Sequence, residues 1–290
     1  MRYRVSHVTA YSYGRPVDLA SHMLHLTPRT LPQQRVLSAS LEAWPSPARE
    51  SEAEDHFGNR VRWFFLDMPH DRFRVAATAL VEVAFPPPPP DVETPPWEAV
   101  AAAAQAGGSG VWQAAEFAFD SPMARTDPAV TAYAAKSFPP GRPVLAALRD
   151  FTARIGRDFA FRAGVTTIAT PVGEVLAHRA GVCQDFTHLM IAGLRGHGLP
   201  ARYVSGYIRT RPPPGAEPWR GADQSHAWVG AWLGERDGWV DLDPTNDMVV
   251  QDEHVVLAWG RDYGDVSPVR GVILGGGLHS VTVSVDLEPA

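Results

Sequence analysis

The sequence holds a single cysteine, Cys183, in 290 residues, so no internal disulfide can form. That fits a reducing compartment. Lysine is as scarce: Lys136 is the only one, and the other 25 of the 26 basic residues are Arg. The chain therefore offers almost no side-chain amines of its own. No run approaches the roughly 18 apolar residues that a membrane span needs. The opening Met1-Arg2-Tyr3-Arg4-Val5-Ser6-His7 has no apolar stretch after its charges, unlike a signal peptide or an anchor. The expected compartment is the cytoplasm. A positive surplus is missing too, and the net charge of −6 argues against general binding to nucleic acid or anionic membranes. What is present is an ordinary globular composition, in a length that suits one large domain or two smaller ones.

Residues 1–85 read as β structure. Tyr3, Val5, His7 and Tyr11 alternate onto one face, and Phe73, Val75, Ala77, Ala79, Val81, Val83 and Phe85 keep period two. Asp55-His56-Phe57-Gly58-Asn59-Arg60 is a turn signal between two stretches that could pair, Ser38 to Trp44 and Val61 to Leu66. An antiparallel, sandwich-like domain is predicted. His22 and His25 would face opposite ways on a strand, which makes them structural rather than metal ligands. Pro86 to Pro90 form a stiff spacer, and residues 86–121 are expected to be a linker and connector, helical over Trp97 to Gln105.

Residues 122–290 read as a mixed α and β domain. Ser121-Pro122 and Arg142-Pro143 look like helix starts, and Val144, Leu148, Phe151 and Ile155 form an apolar stripe at helical spacing. A short helix covers Val172 to Arg179. Gly181 then breaks the chain ahead of Cys183, whose helix runs to about Gly196 or Gly198. Strands follow at Ala201 to Arg209, His226 to Leu233 and Trp239 to Leu242, with Arg211 to Asp223 as a loop.

A thiol at a helix N-terminus meets the positive end of the macrodipole and unpaired N–H groups, both of which favour the thiolate. Alone, such a cysteine is more often an inert small hydrophobe. His226 at the start of one strand and Asp243 at the end of the next change that balance. Neighbouring strands can bring them side by side. A thiol nucleophile needs an imidazole to manage its proton, and the imidazole needs a carboxylate to fix its tautomer. Asp241 shares the strand face of Asp243, so parity does not choose between them; Asp243 is preferred because Pro244 ends the strand there. Asp185 in the first helical turn is explained by the helix dipole alone, and His188 by a structural role. Trp228 suits either a cleft wall or the core.

Gly181-Val182-Cys183-Gln184-Asp185, Ser225-His226-Ala227-Trp228 and Gly238-Trp239-Val240-Asp241-Leu242-Asp243-Pro244-Thr245 resemble the three motif blocks of the transglutaminase-like superfamily. Thr27-Pro28-Arg29, Asp55-His56-Phe57-Gly58-Asn59 and Gly260-Arg261-Asp262-Tyr263-Gly264-Asp265-Val266-Ser267-Pro268 resemble motifs of its bacterial branch. The resemblance implies an α+β fold with a papain-like core: a helix bearing the cysteine, then an antiparallel sheet bearing the histidine and the aspartate. It also implies the catalytic residues Cys183, His226 and Asp243, and no metal or organic cofactor. The expected substrate is a peptide or protein amide, with a primary amine or water taking the acyl group from a Cys thioester. A dedicated cysteine peptidase or amidase is the alternative. A catalytically idle peptide-binding or partner-binding module is the alternative of a different class.

Overall fold

The computed structural model describes residues 1–108, 110–209 and 224–290. The expected loop from Arg211 to Asp223 lies outside the described residues. The N-terminal module is one curled antiparallel sheet of seven strands. It is built from β1 (Arg2–Leu24), β2 (Gln34–Trp44), β3 (Arg49–Glu54), β4 (Arg60–Leu66) and β5 (His70–Val83), in the order β2-β5-β1-β4-β3. The long β1 changes partners halfway: Arg2 to Ser12 run along β5, and Ala20 to Leu24 run along β4. Gly14 and Pro16 sit at the change. Gly14 approaches the backbone of Leu278 so closely that a Cβ would stand 3.0 Å from its carbonyl oxygen.

The expected pairing of Ser38 to Trp44 with Val61 to Leu66 does not occur. The turn at Asp55–Asn59 joins β3 to β4, and β2 pairs with β5 instead. The sequence Arg49-Glu50-Ser51-Glu52-Ala53-Glu54 carries no apolar alternation because every one of its residues is exposed. A strand without a buried face leaves no periodic signal.

After the proline stretch come α1 (Trp97–Ala106), α2 (Trp112–Ala115) and α3 (Pro128–Ala135). Ser121-Pro122 does not start a helix. Asp127 does, because its carboxylate accepts the Ala129 and Val130 N–H groups while Pro128 takes the first helical position. Next are α4 (Val144–Asp158), β6 (Ala160–Phe161), α5 (Val172–His178), β7 (Ala180–Gly181) and α6 (Cys183–Arg195). The predicted stripe of α4 is buried throughout: Val144, Leu148, Phe151 and Ile155 are each at most 1 % exposed. Burial on that scale contributes about 1.5–3 kcal/mol per side chain.

The second sheet is antiparallel, in the order β11-β10-β9-β8-β12. Its strands are β8 (Ala201–Ile208), β9 (Gln224–Trp232), β10 (Trp239–Asp243), β11 (Met248–Val249) and β12 (His254–Gly260). The short α7 (Tyr263–Val266) leads to β13 (Val269–Gly275) and β14 (His279–Pro289), and both of these pair with β1. The C-terminal strands, expected with the 122–290 unit, thus complete the N-terminal sheet.

Helix α6 shares one continuous core with Tyr203, Ala227, Val229 and Ala231, and with Tyr3, Val5, Val81 and Leu287 of the first sheet. The proline spacer is therefore a boundary in sequence and not in packing. The opposite side of the second sheet has its own small cluster of Val204, Trp228, Val250 and Val256, which meets Leu31 and Phe85. The outer edge of β12 is covered by side-chain amides. Gln34 donates to the Val256 carbonyl and accepts from its N–H, both at 2.7 Å, and Asn59 does the same for Trp259 at 2.8 and 2.9 Å. Arg29 lies 3.6 Å over the Trp259 ring and bonds the Phe57 carbonyl. The Thr27-Pro28-Arg29 and Asp55–Asn59 motifs thus seal a strand edge that would otherwise be open to pairing.

His7, His22 and His188 are buried at 1 %, 4 % and 5 % exposure, and burial lowers each to about 4. The sign follows from comparison with about 6.5 in the unfolded chain. Each contributes fully above pH 6.5 and loses up to roughly 3 kcal/mol as pH falls toward 4. The melting temperature is expected to drop steeply between pH 6.5 and 4, and His22→Phe, whose ring would keep the stacking on Phe73, to flatten that drop in a calorimetric pH series.

Candidate active site

The cysteine helix is held at its first turn by the residues around it. The parallel pair β6–β7 carries the chain to Gly181, with Arg162 donating to the Gly181 carbonyl at 2.8 Å. Asp185 folds back to accept the Val182 N–H at 2.8 Å and the Thr166 hydroxyl at 2.7 Å. A Cβ at Gly181 would lie 2.6 Å from that carboxylate, which is why glycine stands there. Asp185 is thus a capping residue, as its position in the first turn predicts. Val182, at the N-cap, has no oxygen to offer the remaining first-turn N–H groups. These groups have no intrahelical partners and are available to an oxygen placed beside Cys183. Cys183 is half-buried at this turn and packs against the main core.

His226 is 7 % exposed and lies on β9, in register with Gly206 of β8. Its Nε2 donates to Asp243 Oδ2 at 2.7 Å. With Nε2 committed, Nδ1 is the nitrogen for the thiol side. Burial alone would lower the imidazole, but the hydrogen bonds and charges of Asp243 and Cys183 outweigh it and raise His226 to about 10. A cation held there is what a thiolate nucleophile needs as its partner.

Asp243 is fully buried. Oδ1 accepts the Thr245 and Asn246 N–H groups at 2.9 and 3.2 Å, and Oδ2 accepts from His226, from Asn246 Nδ2 at 2.7 Å and from His254 Nε2 at 3.2 Å. Burial would raise its carboxyl, yet the donors, His226 first and His254 next, hold it well below the usual carboxylate range. Of the two aspartates that share the strand face, Asp243 is the one bonded to His226. Asp241 takes the Trp228 Nε1–H at 3.0 Å and lies 3.8 Å from the Arg202 guanidinium, so it is occupied away from His226. Trp228 is fully buried in the core rather than lining a cleft.

His188 is structural: it accepts the Tyr263 N–H at 3.2 Å and ties α6 to α7. His22 stacks on Phe73 with centroids 4.1 Å apart, and His25 bonds the Ser267 carbonyl and the Asp55 carboxylate. Neither belongs to a set of possible metal ligands among the described residues. Two residues of the cluster escape a reading of the sequence. Asn246 had a local signal, since Asp-Pro-Thr-Asn is a side-chain-to-backbone turn. His254 had none, because β12 reaches the far side of the sheet and its contact with Asp243 exists only once the sheet is assembled.

His226, Asp243 and His254 place possible ligand atoms within 4.8 Å of one another. In this structure both histidines direct Nε2 at Asp243 Oδ2, so the three side chains form one hydrogen-bonded cluster.

No helix among the described residues is long and apolar enough to cross a membrane. Residues 3–82 match the bacterial transglutaminase-like N-terminal region, and residues 135–244 match the transglutaminase-like superfamily. The chain is 44 % identical to an uncharacterized protein of Mycobacterium tuberculosis, over 99 % of this chain and 93 % of that protein. It is 33 % identical to one of Mycobacterium leprae, over 99 % and 98 %. A solved structure described as a candidate cysteine protease, from Cytophaga hutchinsonii, shares the fold at a TM-score of 0.77 and 22 % identity, covering 99 % of this chain and 90 % of that one. The α+β fold, the two matched regions and the close relatives together make this chain a member of the transglutaminase-like superfamily, with the bacterial N-terminal region joined to the transglutaminase-like core.

Proposed function

We propose that this protein is a thiol-dependent enzyme of acyl transfer on peptide or protein amides, with Cys183 as nucleophile, His226 as proton carrier and Asp243 as the group that orients His226. The observation that carries this reading is the buried imidazole of His226, bonded to Asp243 and held charged by Asp243 and Cys183, with Cys183 at the first turn of α6. Sγ attacks the amide carbonyl carbon, and the developing oxyanion meets first-turn N–H groups, that of Cys183 foremost. The C–N bond breaks as His226 passes its proton to the departing amine. The resulting thioester is resolved by water or a primary amine, from which His226 takes a proton in turn. Asp243 stays ionised throughout. This chemistry calls for no metal or organic cofactor. A single free thiol works best in a reducing cytoplasm, where we place the protein.

Because Cys183 is the only thiol, iodoacetamide labels one site. The test offers glutamine-containing and ordinary peptide amides with and without an added primary amine, before and after that labelling. Amine incorporation that labelling abolishes supports transfer, and hydrolysis alone supports a peptidase. A Cys183 that labels no faster than free cysteine, with no turnover of any amide, returns the protein to an idle binding module. Activity is expected to survive prolonged chelation with EDTA.

A further inference from the structure

We propose that His254 is a positioning residue for the Cys183–His226–Asp243 cluster, acting through Asp243 and never touching substrate; the inference rests on the acyl-transfer reading. His254 opens β12 and is completely buried. Its neighbours are ring systems and one charge: Trp228 at 5.1 Å between centroids, His226 at 6.1 Å, and the Asp243 carboxylate. Nε2 donates to Asp243 Oδ2 at 3.2 Å, while Nδ1 is buried with no partner among the described residues.

That orphaned nitrogen is informative. An imidazole with one nitrogen unsatisfied costs more to bury than an apolar side chain of similar size. Packing beneath Trp228 would be met more cheaply by leucine. What the imidazole adds is the Nε2–H on Asp243. Oδ2 is the oxygen His226 bonds, and it would otherwise be held from outside that bond only by the Asn246 amide. Oδ1 is already held by two backbone N–H groups, and the His254 N–H adds to the Asn246 amide in fixing where Oδ2 meets His226.

The sheet is built to admit this contact. Gly206 stands in register with His226 on one side and with Val256 on the other. A Cβ there would lie 2.4 Å from the Trp228 ring and 2.1 Å from the Val255 carbonyl oxygen. The missing side chain opens the space in which the two histidines and Trp228 come together.

The test needs no substrate. Iodoacetamide alkylation of Cys183 between pH 6 and 9 is measured beside ¹H–¹⁵N spectra of the imidazole N–H groups, in wild type, His254→Leu, His254→Gln and His254→Asn. The glutamine amide can reach the place of Nε2, whereas the asparagine amide reaches only that of Nδ1. Alkylation at pH 6 is expected to fall about tenfold in the leucine and asparagine variants, one charged-group hydrogen bond's worth, and to recover in the glutamine variant. The His226 Nε2–H resonance should move in the first two and return in the third. Equal rates and an unmoved resonance in all folded variants overturn the proposal. If wild-type Cys183 alkylates like free cysteine, the acyl-transfer reading fails, and the His226 resonance alone still decides whether His254 positions the cluster. Should the leucine variant not fold, asparagine against glutamine makes the same comparison.

Discussion

Cys183→Ala is expected to abolish turnover of any amide the wild-type protein accepts, by at least roughly 10³-fold in kcat, as loss of a covalent nucleophile does elsewhere. KM should change little, because the carbonyl is bound by groups that remain. Folding should be nearly untouched. Cys183 is half-buried at the start of α6, and the turn is organised by Asp185 and β6–β7, not by the sulfur. A melting temperature near wild type with no activity separates chemistry from stability. The substitution also has an electrostatic signature. Cys183 is one of the groups that raise His226 to about 10, so the imidazole should titrate lower in the alanine variant, with Asp243 still holding it up in part. Alanine that retained turnover, or an unshifted His226 titration, would remove Cys183 from the mechanism.

The elements nearest this cluster were the most legible ones. Helix α6 announces itself through Gly181 ahead of it and Phe186, Leu189 and Met190 at helical spacing, all of which are buried. Strands β8 and β9 were legible from their aromatic and β-branched residues, and both lie inside the second sheet. Legibility failed where a residue's reason for being there is distant. β3 is a strand only because β4 lies beside it, and β13 and β14 belong to the first sheet because β1 has a free side there. Gln34 and Asn59 look like ordinary polar residues until β12 presents its unpaired backbone. His254 belongs to the same class, since its partner sits across the assembled sheet.

Asp243→Asn is the substitution expected to damage both activity and stability. Every contact of Asp243 is one in which it accepts: backbone N–H groups on Oδ1, and His226, Asn246 and His254 on Oδ2. An amide presents N–H₂ at one of those positions whichever way it turns, so a donor meets donors in a fully buried place. The cost should be about 2–4 kcal/mol at pH 7, read as a fall in denaturation midpoint. The pH dependence has two limbs. Asp243 lies below its unfolded value, so its contribution is full above about pH 4 and lost as pH falls. His226 lies above its unfolded value of roughly 6.5, so its contribution is full below that pH and lost as pH rises through about 10. The asparagine variant should lose the alkaline limb. Without the carboxylate, the burial that opposes the charged imidazole gains ground, and His226 titrates lower. On the proposed mechanism, amide turnover at pH 7 should then fall by roughly 10⁴-fold, as loss of the orienting carboxylate does in a Ser-His-Asp triad. An Asn variant that kept the limb near pH 10 would mean that Cys183 alone holds the imidazole charged, and Asp243 would be left with only a structural part.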